Sequence, residues 1–325
     1  MPIDPSLPFL KMNSRPPKPR TRGITEIRGP YYSVLGRRQL EDLLEVAGEY
    51  ADSLKFAGGS FALIPRAKLR EIIEICHAFE VKVSTGGFVE NVLRQGDDAV
   101  RKYVAACADL GFDTIEISAG FVSLSTEDWL RLIELVQKAG LTPKPEIGVL
   151  FGAGGGSVED PNAIHQGPEW AIARARRFLE AGVDLLMVES EGVTENVAHW
   201  RTEVPARLIE ELGLTHLMFE AADPHVFDWY VRTYGPDVNL FVDHSQILQL
   251  ECLRSGIWGE KESWGRITSF GGEAEAAIDR PSKDDSAVYA LEEESPIVTR
   301  RSVKKKKTKL PSRPEREAKP EARQH

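Results

Sequence analysis

Cysteine is scarce in this sequence: Cys76, Cys107 and Cys252 are its three thiols in 325 residues, widely spaced and odd in number. That usage excludes a disulfide framework and a Cys-rich zinc site, and it suits a reducing compartment. All three fall within helical patterns, where core or half-exposed thiols are the simplest reading. Long apolar runs are also missing. None approaches the ~20 residues that a membrane-spanning helix needs, so no membrane partner is expected. The N-terminal stretch MPIDPSLPFLKMNSRPPKPR is polar and proline-rich and lacks the apolar segment of a secretory signal. Cytoplasmic placement is therefore the expectation. There is no P-loop, no dinucleotide fingerprint and no His/Cys cluster.

The charge is uneven. Residues 300–325 hold 11 Lys/Arg against 3 Asp/Glu, which leaves 30 basic against 47 acidic residues in the preceding chain. An acidic body repels phosphates, so the folded part is not expected to bind nucleic acid. From about Glu273 the composition turns Glu-, Ser-, Lys- and Pro-rich, with too few large apolar groups to repay ordering. The run Lys304–Lys309 reads as a nuclear-import signal, a tether to an anionic surface, or a solvated tail without a specific role. The expected organisation is a flexible segment over 1–20, one folded domain over 21–272 and a disordered basic tail over 273–325.

Within the domain, short apolar runs alternate with amphipathic stretches. Strands are expected at Gly23–Arg28, Asp52–Ala57, Val81–Thr85, Thr114–Ser118, Thr142–Gly148, Asp184–Glu189, His216–Ala221 and Val238–Asp243. Helical patterns cover 37–50, 65–80, 97–110, 126–139, 168–181, 200–212, 224–234 and 245–255. Eight strands each followed by a helix is the number that closes a (β/α)8 TIM barrel, and the regular spacing favours closure over an open doubly wound sheet. The punctuation agrees: Gly111, Gly182 and Gly213 each precede a hydrophobic residue and a strand, as helix-stopping glycines do. Ser125 stands as an N-cap before Glu127 and Asp128.

Strand parity then locates the chemistry. Where apolar residues face the helices, the alternate positions face the barrel axis. That rule turns inward Lys55 on the second strand, Glu116 and Ser118 on the fourth, Lys144 and Glu146 on the fifth, and Met187 and Glu189 on the sixth. It does the same for Met218 and Glu220 on the seventh and for Asn239, Phe241 and Asp243 on the eighth. Active sites of such barrels lie at the C-terminal ends of the strands. Clustered carboxylates demand compensation by lysines, protons or a metal ion, and oxygen-only ligands favour Mg²⁺ over zinc. An internal salt-bridge network is the alternative reading of the same residues. Gly58-Gly59-Ser60, Gly86-Gly87 and the run Gly152–Gly156 border this mouth; glycine turns free backbone N–H groups for phosphate or carboxylate oxygens. His244, after Asp243, reads as a base or as a hydrogen-bonded scaffold residue.

Several of these segments resemble the phosphosulfolactate synthase family. They are Arg22-Gly23-Ile24-Thr25, Lys55-Phe56 with Gly58-Gly59-Ser60, Thr85-Gly86-Gly87, Glu116-Ile117-Ser118, Phe219-Glu220-Ala221, Val238-Asn239-Leu240 and Leu250-Glu251-Cys252-Leu253-Arg254. They occur in order across roughly residues 20–258. Leu54–Ser60, Gly111–Glu116 and Val238–Ile247 look still more like a plant heat-stress-associated branch of that family. The resemblance implies a (β/α)8 barrel and, for the synthase branch, Mg²⁺-dependent addition of sulfite to phosphoenolpyruvate.

Under that resemblance Lys55, Lys144 and Glu146 are the expected catalytic groups. Gly58, Gly59, Ser60, Gly86, Gly87 and Asn239 are expected to bind a small anionic substrate, and Glu116, Glu189, Glu220 and Asp243 the metal. Archaeal members carry a lysine just after the fifth-strand Glu-x-Gly, proposed there as general acid. Here Glu146-Ile147-Gly148 is followed by Val149-Leu150, and Lys144 reaches the same mouth from another height. A homo-oligomer is compatible with the sequence. Two further functions are carried forward: a non-catalytic stress-tolerance barrel acting through protein interactions, and a Schiff-base aldolase using Lys55 or Lys144.

Overall fold

In the computed structural model of the chain, residues 6–118, 120, 122–149, 168–258, 261 and 267–269 are described below. All of them belong to the unit Met1–Ala274. Eight parallel strands pair in sequence order and close on themselves, β1 with β8. The strands are β1 (Thr25–Arg28), β2 (Ser53–Lys55), β3 (Lys82–Ser84), β4 (Thr114–Ile117), β5 (Thr142–Ile147), β6 (Leu186–Val188), β7 (Leu217–Glu220) and β8 (Asn239–Asp243). Each expected strand is present, trimmed by one to three residues at its ends. The chain is a (β/α)8 barrel.

The outer helices match the amphipathic patterns: α1 (Arg37–Ala47), α2 (Arg66–Ala78), α4 (Asp97–Leu110), α5 (Thr126–Lys138), α6 (Pro168–Glu180), α7 (Glu203–Leu212), α8 (Pro224–Tyr234) and α9 (Ile247–Arg254). A short α3 (Val89–Leu93), which periodicity did not flag, follows β3. Local chemistry sets the boundaries. The backbone N–H of Asp128 donates to Ser125 Oγ at the start of α5. Gly111 ends α4 in the left-handed region, at φ +97°. No helix among the described residues is long and apolar enough to cross a membrane.

The main core lies between strands and helices. Ile27, Leu54, Ile115, Ile117, Phe219 and Leu240 point outward into it. Inside the barrel a small apolar plug of Met187, Met218 and Phe241 is fully buried. The parity read from the sequence therefore holds. Below the plug, residues 13–20, part of the segment expected to be flexible over 1–20, are tied to the barrel by hydrogen bonds. Asn13 donates to the carbonyls of Arg254 and Ile267 at 2.8 and 2.9 Å, and Lys18 to that of Gly48 at 2.7 Å. Arg20 donates to the carbonyls of Pro16 and Glu49 and to Asp52. Lys18 and Arg20 here cap carbonyls just past the ends of α1 and α2 that would otherwise lack partners. The tail over 273–325, with Lys304–Lys309, and the glycine run Gly152–Gly156 lie outside the described residues.

Candidate active site

The strand ends deliver a buried polar chain across the barrel interior. Lys55 donates to both carboxylate oxygens of Glu116 at 3.0 and 3.2 Å, and to Glu220 Oε1 at 2.9 Å. Its ammonium also lies 4.1 Å from the centroid of the Phe241 ring. Lys144 donates to Glu26 Oε2 at 2.5 Å and pairs with Glu116 Oε2 at 3.1 Å. Ser53 completes this floor by donating to Glu26 Oε1 at 2.9 Å. All four ion-paired side chains of the floor, Glu26, Lys55, Glu116 and Lys144, are at most 4 % exposed. Burial opposes the charge on Lys55, but Glu116 and Glu220 more than offset it and hold its pKa well above the ordinary lysine value. Lys55 is thus held as a cation, not as an uncharged amine ready to form a Schiff base.

Above the floor sits a second carboxylate set, Glu146, Glu189 and Glu220. Burial, followed by the neighbouring charges of Glu116 and Glu220, pushes Glu146 up to about 8. Burial and Glu220 likewise raise Glu189 well above the carboxylate range. Glu220 goes the other way: despite burial, the Lys55 ammonium keeps it below its ordinary value. Burial thus favours the protonated forms of Glu146 and Glu189, while Lys55 favours the ionised form of Glu220. The hydrogen bond between Glu189 and Glu220 then runs from the Glu189 hydroxyl to the Glu220 carboxylate. Ser118 Oγ stands against both Glu90 and, at 2.9 Å, Glu146. One hydroxyl has one hydrogen, so the proton on Glu146 completes the second contact.

The expected residues sort unevenly. Lys55, Lys144, Glu116, Glu146, Glu189 and Glu220 come together in this one network. Glu116 has both oxygens engaged by lysines, so it belongs to the floor and not to a metal site. Asp243 is a cap: its carboxylate accepts from Ser245 N–H at 3.0 Å and Ser245 Oγ at 2.7 Å, closing the turn His244–Gln246. Its charged neighbours are His244 and Arg28, not the glutamates. Asn239 is corrected from ligand to scaffold. It lies at the N-terminal end of β8, accepts from Ile24 N–H at 2.9 Å and donates to the carbonyls of Thr215 and Leu217 at 3.3 and 3.0 Å. Those bonds stitch strands together at the end opposite the mouth. His244 Nδ1 sits 3.0 Å from the Arg28 carbonyl, which can only accept, so the ring donates there as a scaffold group.

The glycines are explained by packing. A Cβ on Gly58 or Gly59 would strike the rings of Tyr31 and Phe88 at 2.2 Å, and both residues have φ near the left-handed region, +60° and +70°. A Cβ on Gly86 would lie 2.5 Å from the Phe56 carbonyl oxygen, and one on Gly87 would lie 2.9 Å from Ser118 Cβ. Ser60 lines a separate cavity of about 500 Å³ between the β1–α1 and β2–α2 connections, walled by Tyr31, Tyr32, Leu35, Leu63 and Ile72.

Four residues of the network were missed, Ser53 of β2 among them. Glu26 and Arg28 face inward on β1, on either side of outward Ile27, and Glu90 reaches in from α3. The same parity rule applied to Thr25-Glu26-Ile27-Arg28 finds the first two. Glu90 carries no such signal, because α3 is a single short helix inserted after β3.

The span that holds this network is similar to known proteins. The family model described as (2R)-phospho-3-sulfolactate synthase (ComA) matches residues 13–260. The chain belongs to the phosphosulfolactate synthase (ComA) family. It is 40 % identical over 258 residues to Protein HEAT-STRESS-ASSOCIATED 32 of Arabidopsis thaliana, covering 76 % of this chain and 90 % of that protein. It is 28 % identical over 251 residues to the phosphosulfolactate synthase of Methanothermobacter thermautotrophicus, covering 75 % and 92 %. The phosphosulfolactate synthase of Bacillus subtilis matches at 23 % identity over 257 residues, covering 76 % and 95 %. The matched span contains the whole described network, from Glu26 to Asp243, so a synthase-family member carries these carboxylates on this barrel.

Proposed function

We propose that this barrel is a lyase of the phosphosulfolactate synthase type, adding sulfite, or a similar sulfur nucleophile, to phosphoenolpyruvate or a related enol phosphate with the aid of Mg²⁺. The observation that carries the reading is the division of labour among the mouth carboxylates: Glu220 is ion-paired to Lys55 at 2.9 Å, while Glu146 lies buried against the Ser118 hydroxyl at 2.9 Å, where its pKa is pushed up to about 8.

The donors suit Mg²⁺ in kind, being oxygens only. Among the described residues no three His, Cys, Asp or Glu side chains are arranged to hold a metal ion together. Mg²⁺ does not require that; it is usually held by one or two carboxylates, with water and substrate phosphate completing its octahedron. Glu189 and Glu220, already sharing a proton, are the pair that would hold it. Bound there, the ion would supply positive charge against the developing negative charge of the substrate.

The remaining chemistry falls to the chain. The sulfite lone pair forms a carbon–sulfur bond to the methylene carbon, and the double-bond pair moves onto the carbon bearing the carboxylate. Glu146 delivers its proton to that carbon and is left as carboxylate, to be reprotonated from water. An acid tuned to about 8 is matched to such a step near neutral pH. It also occupies the strand after which archaeal members place a lysine and this chain has Val149. Ser118 fixes the acid, and the buried floor of Lys55, Glu116, Lys144 and Glu26 keeps the carboxylates in register.

A second reading, a stress-tolerance role without turnover, is supported by the name of the plant relative. The two are separated by incubating purified protein with phosphoenolpyruvate, sulfite and Mg²⁺. Consumption of phosphoenolpyruvate that requires both additions and is lost in Glu146→Gln supports the lyase. No consumption across pH 6–9 sinks it and favours the second reading.

A further inference from the structure

We infer that Arg28 is the oxyanion-binding residue of the mouth, gripping the carboxylate or phosphoryl group of the substrate through the open edge of its guanidinium. The inference rests on the proposed enol-phosphate reading for the ligand's class, and on Arg28's own surroundings for the site.

Arg28 is the last residue of β1 and pairs in register with Lys55 of β2 and Asp243 of β8, which places it at the level of the mouth. Its guanidinium lies 4.8 Å from the Tyr32 ring centroid and 5.0 Å from that of Phe241. Two aromatic faces therefore hold the planar group in place, an environment arginine tolerates because it is weakly hydrated and stacks well. Its side chain is only 14 % exposed, yet among the described residues the guanidinium donates no hydrogen bond. Nε is buried without a partner. The nearest carboxylate oxygen, Asp243 Oδ2, is 4.0 Å from Nη1, beyond hydrogen-bond reach, while Asp243 Oδ1 is occupied by Ser245. Buried donors are nearly always paired, so Nε without a partner, beside Nη groups whose nearest carboxylate oxygen stands 4.0 Å away, leaves the fork's hydrogen bonds for a ligand.

The contrast with the neighbouring lysines makes the assignment. Lys55 and Lys144 spend their donors on Glu116, Glu220 and Glu26. An arriving anion would have to break those ion pairs to reach them. Arg28 needs no such rearrangement, and its fork matches two oxygens of one carboxylate or phosphoryl group. The shared chemistry is an oxyanion presenting two oxygens in a plane; a carboxylate and a phosphoryl group both qualify, and enol phosphates carry both.

The test is thermal stabilisation of the whole chain in EDTA by acetate, phosphate, sulfate and phosphoenolpyruvate, at ionic strength matched with NaCl. Wild type should be stabilised in a saturable way by phosphoenolpyruvate and by acetate or phosphate; which simple anion acts tells the group that Arg28 holds. Arg28→Lys keeps the charge but loses the fork, and should weaken the apparent affinity by on the order of tenfold. Tyr32→Leu, at a residue 76 % exposed, removes one stacking face without touching the core and should weaken it less. This second variant also guards against misfolding of the first. Arg28→Lys binding every anion within twofold of wild type overturns the inference, as does a wild type that responds to none. Arg28-dependent anion binding without turnover sinks the lyase reading alone. Turnover with an unchanged KM for phosphoenolpyruvate in Arg28→Lys sinks this inference alone.

Discussion

Replacing an active-site carboxylate usually trades activity for little change in stability; at Glu146 the fold should gain. Its carboxyl titrates at about 8 in the folded barrel against an ordinary value of 4.5. A raised acid pKa means that the folded state holds a proton that the unfolded chain has released. Stability is then fully present below pH 4.5 and falls as pH rises, by about 1.4 kcal/mol per unit, until the folded group ionises near 8. At pH 7 the accumulated loss is about 3 kcal/mol, and beyond pH 8 about 5 kcal/mol. Water entering the mouth lowers both figures. Gln resembles the protonated acid in shape, keeps a polar contact for Ser118 and cannot ionise. Glu146→Gln should therefore raise the thermal midpoint of metal-free protein at pH 7 by roughly 6–12 °C for a barrel of this size. It should match wild type at pH 4.5, so the gap between the two must open with pH. A midpoint below that of wild type at pH 8, or a gap that does not change between pH 5 and 8, refutes the assignment of a proton to Glu146. The same variant should abolish turnover.

Mg²⁺ should displace the proton held between Glu189 and Glu220. Its apparent affinity should then tighten about tenfold per pH unit while Glu189 stays protonated, and calorimetry in buffers of different ionisation heat should register close to one proton released; binding independent of pH and buffer would remove the metal from this pair. Lys55→Met should destabilise by about 3–5 kcal/mol, because it leaves Glu116 and Glu220 buried with less compensation. Denaturant unfolding of that variant within 1 kcal/mol of wild type would show that the floor is not an ion-paired unit. Asn239→Ala should cost about 2–4 kcal/mol by orphaning Ile24 N–H and two carbonyls, yet leave anion affinity unchanged. A shift in anion affinity without loss of stability would return Asn239 to the binding site.

Most of the barrel was legible because its signals are local and periodic. Outward Ile115 and Ile117 force Glu116 inward whatever the rest of the chain does, and the same holds for Lys55 between Leu54 and Phe56. What parity cannot give is height along the barrel axis. Asn239 and Asp243 share the inward face of β8 with Phe241, but the first sits beneath the Met187–Met218–Phe241 plug and the second at the rim. One therefore stitches strands and the other caps a turn. Nor does composition distinguish a glycine that cradles an anion from one flattened under a ring. Gly58 and Gly59 belong to the second kind, which is visible only once Tyr31 and Phe88 are placed over them. Glu26 and Arg28 were within reach of the parity rule, but β1 offers a single flanking isoleucine, where other strands offer two apolar neighbours.

The placement of Glu26 changes what the interior is for. With it, the floor pairs Glu26 and Glu116 with Lys55 and Lys144, two carboxylates against two ammoniums, and is neutral by itself. A neutral, fully hydrogen-bonded floor has no charge left to attract a ligand, so ligand chemistry must fall to the groups above it. Those groups are Glu220, kept toward its ionised form by Lys55; Glu146 and Glu189, pushed by burial toward their protonated forms; and the Arg28 guanidinium, which makes no hydrogen bond among the described residues. The floor nevertheless decides their state. Lys55 spans both layers, holding Glu116 below and Glu220 above; the ionised Glu220 in turn takes the proton of Glu189 as a hydrogen bond and helps drive up Glu146. The salt-bridge network and the reactive mouth, posed as alternatives by the sequence, are thus consecutive layers of one structure. Lys55 is the link, which is why its loss should be felt in stability and in the protonation of the mouth together.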